Sequence, residues 1–529
     1  MRRIITVVFL IFLQNLCYAQ SGKIDSSFGI SGSIHTDFFA NNDQAKALVI
    51  QADGKILLGG YVTTIKNEDF AAVRYKKNGA IDSSFGNFGK IVIQVDTQSD
   101  NVSDILLQSD GKILLTGYAQ VGYGAEDFAV VRCNTDGSLD NSFGKNGKIT
   151  TPIGVGLDIS YCSVLQPDGK IVLAGYMGNG NGGDVAIVRY NSNGSLDNSF
   201  NSTGIVTTDF SGYKDCAFDV ALQKDGKIVI AGVSTIGIKD VYLIARYNAN
   251  GRVDSSFGTN GFVRTAIGSV ADYGQSLLVL PDGKIVVGGS TNYPSSQPNL
   301  FHAEGVLIRY NSNGTVDNSF GILGKVAIRY REGLNYVRNM ALQPDGKIVL
   351  VGTTDSLIGT IESAMARLNT NGTLDTTFGI KGKVITSVYD GSIPSSLTGG
   401  TDIKLQTDAK ILVSGFVLYP NGTDFALIRY INDFKLGVID FTEGNKSLLF
   451  YPNPIQSKSC LEYTLDKTDN ISISIADLRG RVISSPVTNE VQSAGNHKQI
   501  IELPQDLPTG QYILSIRSAN GVVSVKIIK

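Results

Sequence analysis

The chain has 529 residues, a net formal charge of −2 and only 18% charged side chains. That balance excludes the basic footprint that nucleic acid or an anionic membrane surface would demand. With 60 glycines, 22 tyrosines, 23 phenylalanines and no tryptophan, the composition favours short strands joined by tight turns.

Residues 1–19 read as a signal peptide. Arg2 and Arg3 begin it, Ile4 to Leu13 form an apolar run too short to span a bilayer, and Cys17-Tyr18-Ala19 offers a small-residue cleavage site. Leu16 stands where a lipoprotein signal wants a small residue, which argues against lipidation of Cys17. No later stretch has the length and apolarity of a transmembrane helix, so an exported, soluble chain is expected.

Residues 20–434 are dominated by one phrase. Ile24-Asp25-Ser26-Ser27-Phe28-Gly29 returns with its aspartate at Asp82, Asp140, Asp197, Asp254, Asp317 and Asp375, in steps of 57 to 63 residues. A fixed period of this size marks a repeat architecture. The second repeat shows its parts: strands over Gly89 to Val95, Asp104 to Gln108, Lys112 to Tyr118 and Asp127 to Arg132. The sharpest turn signal joins the second and third strands, at Asp53-Gly54, Asp110-Gly111, Asp168-Gly169, Asp225-Gly226, Asp282-Gly283 and Asp345-Gly346. The seventh copy reads Asp408-Ala409, which predicts a looser hairpin, because Ala resists positive φ.

Four apolar strands cannot bury themselves alone, but stacked neighbours cover both faces. The seventh repeat lacks the aspartate phrase, and a spare copy stands at the N-terminus. The expectation is a seven-bladed β-propeller of four-stranded blades, with the ring closed by the N-terminal segment.

The fourth strand of each repeat opens with an acid and ends with an arginine: Arg74, Arg132, Arg189, Arg246, Arg309, Arg367 and Arg429. Five positions apart, acid and arginine point to opposite faces. The following phrase aspartate, such as Asp82 for Arg74, is therefore the expected partner, as a structural latch rather than a ligand site.

The turns and blade-crossing phrases repeat closely on one face of the disc, while the other loops vary. The variable face is the expected contact surface. Its aromatics Tyr123, Tyr213, Tyr273, Tyr293, Phe301, Tyr336 and Tyr419 suit sugar or protein contacts. Catalytic signatures are thin. His35, His302 and His497 lie apart, without metal-ligand spacing, and no nucleophile elbow or phosphate loop stands in context, so neither metal nor cofactor is expected. Cys133, Cys162, Cys216 and Cys460 fall outside the repeat frame and read as buried thiols, with Cys162 and Cys216 the pair a bridge could join.

Residues 435–449 read as a linker. Strands over Leu461 to Leu465, Ile471 to Ile475, Gln499 to Leu503, Gln511 to Ile516 and Val522 to Ile528 then make residues 450–529 a small Ig-like β-sandwich.

Both parts resemble known families. The repeats resemble the delta-60 repeat, Leu-Asp-x-Ser-Phe-Gly followed by Gln-x-Asp-Gly-Lys-Ile-x-x-x-Gly, with departures at Leu280 and Asn201. That family implies no general activity. The C-terminal part is similar to the type A sorting domain of the type IX secretion system of Bacteroidota. The matching residues are Tyr451, Pro452, Asn453 and Pro454, then Asp477, Gly480 and Arg481, Gly510 and Tyr512, and the terminal Lys526. The resemblance implies handling by the type IX machinery and a secreted or outer-surface location. Three roles follow as expectations. The first is a binding protein for an extracellular glycan or protein. The second is a polysaccharide-degrading enzyme with acids at the channel mouth. The third is a structural or matrix surface protein.

Overall fold

The computed structural model describes residues 21–529 except 40, 66, 123, 181, 295–300, 356–360, 387–396, 433–447, 452–457, 466, 478–481, 503–509, 519–520 and 529. The signal-peptide reading of 1–19 and most of the 435–449 linker fall outside the described residues. Among the described residues, every named element is a strand, and no helix is long and apolar enough to cross a membrane.

In the first unit, Asp43–Ile50, Ile56–Thr63, Glu68–Tyr75 and Lys90–Ile93 pair antiparallel in that order. The two middle strands are buried almost throughout, because both their faces meet neighbouring units. Six more units follow. Their inner strands are Asp100–Leu107, Asp158–Leu165, Asp215–Leu222, Ala271–Val279, Asn335–Leu342 and Leu397–Leu405. A parallel bridge between Asp240 and Ala271 links the fourth unit to the fifth. Each inner strand contacts the next, and Leu397–Leu405 returns to Asp43–Ile50, so the inner strands close a ring.

The N-terminal segment completes that closure. Ser33–Thr36 pairs antiparallel with Phe425 to Ile428 and becomes the outer strand of the seventh unit. Upstream, the Gly22 and Asp25 amides donate to the Ile431 and Arg429 carbonyls at 2.7 and 2.8 Å. Phe28 lies in one buried cluster with Leu48, Leu58 and Tyr75 of the first unit and Leu412, Phe425 and Leu427 of the seventh. The seam is therefore paired along its edge and apolar inside, as in a closed β-propeller.

The turn at Asp408-Ala409 is not looser than its six counterparts. Ala409 takes φ +70, and its amide donates to the Gln406 carbonyl at 2.9 Å, the length found for Gly54 and Gln51. Neighbouring strands impose the geometry, and Ala409 bears it as backbone strain.

One irregularity recurs in all seven inner strands. The register slips by one residue, leaving Lys46, Ser103, Tyr161, Phe218, Gln275, Arg338 or Thr401 as the extra residue of a β-bulge. A glycine faces each bulge from the second strand. At Gly60 and Gly232 an added Cβ would collide with the carbonyl oxygens of Gln44 and Cys216. That collision accounts for the glycine closing every Lys-Ile-x-x-x-Gly run.

The C-terminal residues form two facing sheets. One holds Leu448–Tyr451, Lys458–Leu465 and Gly495–Glu502; the other holds Val482–Gln492, Asp469–Asp477, Gln511–Ser518 and Gly521–Ile528. Phe450, Leu461 and Ile501 from the first meet Ile471, Ile473, Leu514 and Ile527 from the second in one core. Leu448 and Leu449, assigned to the linker from sequence, pair with Tyr463 and Glu462. The strand Val482–Gln492 escaped the sequence reading because Pro486 and three register shifts break its alternation.

Candidate functional site

The recurrent arginines and aspartates meet in seven equivalent contacts. Nε of Arg74, Arg132, Arg189, Arg246, Arg309, Arg367 and Arg429 donates to Oδ2 of Asp82, Asp140, Asp197, Asp254, Asp317, Asp375 and Asp25 at 2.7 to 2.8 Å. Each guanidinium also stacks on the phenylalanine of the same phrase, 4.4 to 4.8 Å from the ring centroid. A second nitrogen reaches the following unit: Arg132 donates to the Ser192 carbonyl, and Arg246 to the Ser312 carbonyl, both at 2.6 Å. The lysine after each turn joins in, as Lys112 does with Asp140 at 2.7 Å and Lys410 with Asp25 at 2.8 Å. Burial pushes Asp25, Asp140, Asp254, Asp317 and Asp375 up, but lysine and hydroxyl hydrogen bonds and the arginine charge outweigh it and hold them far below the usual carboxylate range. Sequence reasoning missed the lysines, although the signal was present in every Asp-Gly-Lys.

The central channel is a cavity of about 1010 Å³. The bulges build it, since they turn side chains inward from different units. Its walls carry six aromatic rings: Tyr61, Tyr118, Tyr161, Phe218, Tyr336 and Phe416. Tyr161 and Phe218 meet edge to face at 5.3 Å. Lys46 lies over Tyr61 at 5.2 Å, and Arg338 over Tyr336 at 5.3 Å. Neither cation has a carboxylate within ion-pair reach among the described residues; Lys46 donates to Gln44 at 3.0 Å. Surrounding protein depresses the Lys46 pKa, and the Arg338 charge depresses it further, so two like charges share one lumen.

Deeper in, Asp104, Asp219 and Asp402 follow three of the bulges. They are tied to backbone amides: Asp219 accepts from Val220 at 2.7 Å and from Leu277 of the next unit at 2.6 Å, and Asp402 accepts from Leu48 across the seam at 2.8 Å. Lys404 holds both oxygens of Asp402, at 2.7 and 2.9 Å. Burial pushes Asp104 up to about 6 and Asp219 up to about 7.

The aromatics picked from sequence scatter. Tyr336 lines the channel. Tyr273 and Tyr336 lie within strands rather than loops, because the inner strands begin before the bulge. Tyr213 is exposed in the loop before Asp215. Tyr293 borders a cavity of about 410 Å³ with His302, Glu304 and Arg329. The Tyr419 hydroxyl and His35 Nδ1 share a hydrogen bond of 2.9 Å. Phe301 begins the strand Phe301–Tyr310, and Tyr123 lies outside the described residues. Of the sorting residues, Tyr512 is buried in the sandwich core, Asp477 ends a strand, Gly510 precedes one, Tyr451 and Lys526 lie in strands, and Pro452, Asn453, Pro454, Gly480 and Arg481 lie outside the described residues. Cys133, Cys162, Cys216 and Cys460 are free and buried, so Cys162 and Cys216 are not bridged.

Comparison with known proteins bears on both parts. The family model described as a domain of unknown function (DUF5122) beta-propeller matches residues 51–85, 108–143, 166–200, 223–257, 280–320 and 343–378. The model of a secretion system C-terminal sorting domain matches residues 449–529. That tail is the type IX sorting signal and gives a secreted or outer-surface location. Solved structures with similar folds include polysaccharide lyase Uly1, at 12% identity and TM-score 0.41, covering 79% of this chain and 94% of that one. They also include virginiamycin B lyase from Staphylococcus aureus, at 10% identity and TM-score 0.38, covering 75% and 98%. Chaetomium thermophilum Sqt1 matches at 13% identity and TM-score 0.33, covering 74% and 95%. No curated protein matches the chain.

Proposed function

We propose that this chain, built of DUF5122 β-propeller repeats and a secretion-system C-terminal sorting domain, is an exported propeller that binds an anionic glycan at its central channel. The observation that carries this reading is the pairing of Lys46 and Arg338, without ion-pair partners among the described residues, with six aromatic rings around one lumen. Aromatic faces suit the apolar faces of sugar rings, and two cations facing one lumen suit carboxylate or sulfate substituents. The channel acids favour binding over turnover, because Asp219 and Asp402 already serve backbone amides and Lys404.

The test is a glycan array of uronate-bearing, sulfated and neutral polymers, followed by calorimetry with the best binder. Acidic polymers should bind, with affinity that falls as salt rises. The double variant Lys46→Ala/Arg338→Ala should weaken binding by about tenfold or more, roughly 1.4 kcal/mol. Equal binding of neutral polymers, or an unaffected double variant, overturns the reading. Release of shortened product during the same incubation would favour the enzymatic alternative.

A further inference from the structure

We propose a calcium site at the seam of the ring, formed by Asp37, Asp43 and Asp424 and distinct from the channel. One carboxylate oxygen from each lies within 4.8 Å of the other two. Asp37 follows the N-terminal strand Ser33–Thr36, Asp43 opens the inner strand of the first unit, and Asp424 lies in the seventh unit on the strand Gly422–Tyr430. The three therefore join the start of the ring to its end.

Asp43 supplies the second, independent observation. It is fully buried; its Oδ2 accepts the Phe38 amide at 2.8 Å, and its Oδ1 has no hydrogen-bond partner. A buried carboxylate oxygen without a partner costs free energy unless a cation meets it. Burial pushes Asp43 and Asp424 each up to about 6, and the Asp37 charge adds to both. Lys90 is the neighbouring cation, but its ammonium donates to the Asp37 carbonyl at 2.5 Å and lies over the Phe38 ring.

One other seam shows that the fold does not need this charge. Between the fifth and sixth units, Asn335 takes the place of Asp43 and accepts the Tyr330 and Arg331 amides at 2.9 and 3.2 Å. There the outer acid Glu304 is paired with Arg329. Between the fourth and fifth, Lys239 stands 3.7 Å from Asp272. Those two seams are neutralised by the protein's own side chains; the equivalent Asp100 and Asp158 also hold an oxygen without a hydrogen-bond partner, but among the described residues three carboxylates converge only where the two ends of the ring meet. A donor set made only of carboxylates suits a hard divalent ion with flexible geometry, which is calcium rather than zinc.

The test uses the full exported chain stripped with EDTA. Adding about 2 mM calcium, within the affinity range of extracellular sites, should raise the unfolding midpoint by about 3 °C. Asp43→Asn should keep the strand signature in circular dichroism, as Asn335 does at its own seam, and lose the calcium shift. Asp100→Asn, at the equivalent post of the next seam, should retain it. No shift in the native chain, a shift kept in Asp43→Asn, or an equal shift with magnesium would overturn the proposal. These outcomes are independent of glycan binding, because the channel cations take no part.

Discussion

At the scale of single residues, the latch arginines do the most. Arg132 is buried, bonded through Nε to Asp140, through Nη1 to the Ser192 carbonyl, and stacked 4.4 Å from the Phe143 centroid. Arg132→Ala would leave Asp140 buried with only Lys112 to balance it and would cut the tie to the next unit. Removing one partner of a buried pair costs about 3–5 kcal/mol. Denaturant titration should show a loss of that size. Arg132→Lys should rescue little of it, because an ammonium cannot hold the aspartate, the carbonyl and the ring face together. A loss below about 1 kcal/mol would show the latch to be ornamental.

At the scale of the element, the inner strand separates what the sequence showed from what it hid. The latch was legible because every repeat faces the same burial problem, so Asp82 and Arg74 recur in phase with their counterparts. The strand positions on either side of Asp-Gly were legible for the same reason. The channel was not. Its lining comes from bulged residues such as Lys46, Tyr161 and Arg338, which differ from unit to unit, and the bulge itself breaks the period-two pattern by which strands are recognised. The second strand of the second repeat was read from Asp104 and begins at Asp100, because Ser103 interrupts the alternation. Ala409 teaches the converse, since pairing on both sides holds a residue in a conformation it disfavours. Ala409→Gly should relieve about 1–2 kcal/mol of left-handed strain and lose about 0.5–1 kcal/mol to chain entropy. A net gain of about 0.5 kcal/mol in denaturant titration is expected, and destabilisation would contradict the strain.

At the scale of the whole molecule, two populations of buried acid oppose one another as pH changes. The latch aspartates have depressed pKa values in the folded chain. Their stabilisation is present above the unfolded value near 3.9 and is lost as pH falls below it. Asp100, Asp104 and Asp219 behave in reverse. Burial raises them to about 7, 6 and 7, so between about pH 4 and pH 7 the folded chain holds protons that the unfolded chain has released. Stability contributed by these three is complete below about pH 4 and drains away as pH rises through 6 and 7. The two trends cross on the acidic side, so the unfolding midpoint in EDTA should peak near pH 4–5 and fall by a few degrees by pH 8. The triple variant Asp100→Asn/Asp104→Asn/Asp219→Asn should shrink the alkaline limb, leaving the part that Asp43 and Asp424 supply at about 6, and keep the acid limb in place, because the latches are untouched. A native midpoint that stays level from pH 5 to pH 8, or an alkaline limb undiminished in the triple variant, would mean that these buried carboxylates are ionised at no cost, and that something other than desolvation governs the inner ring.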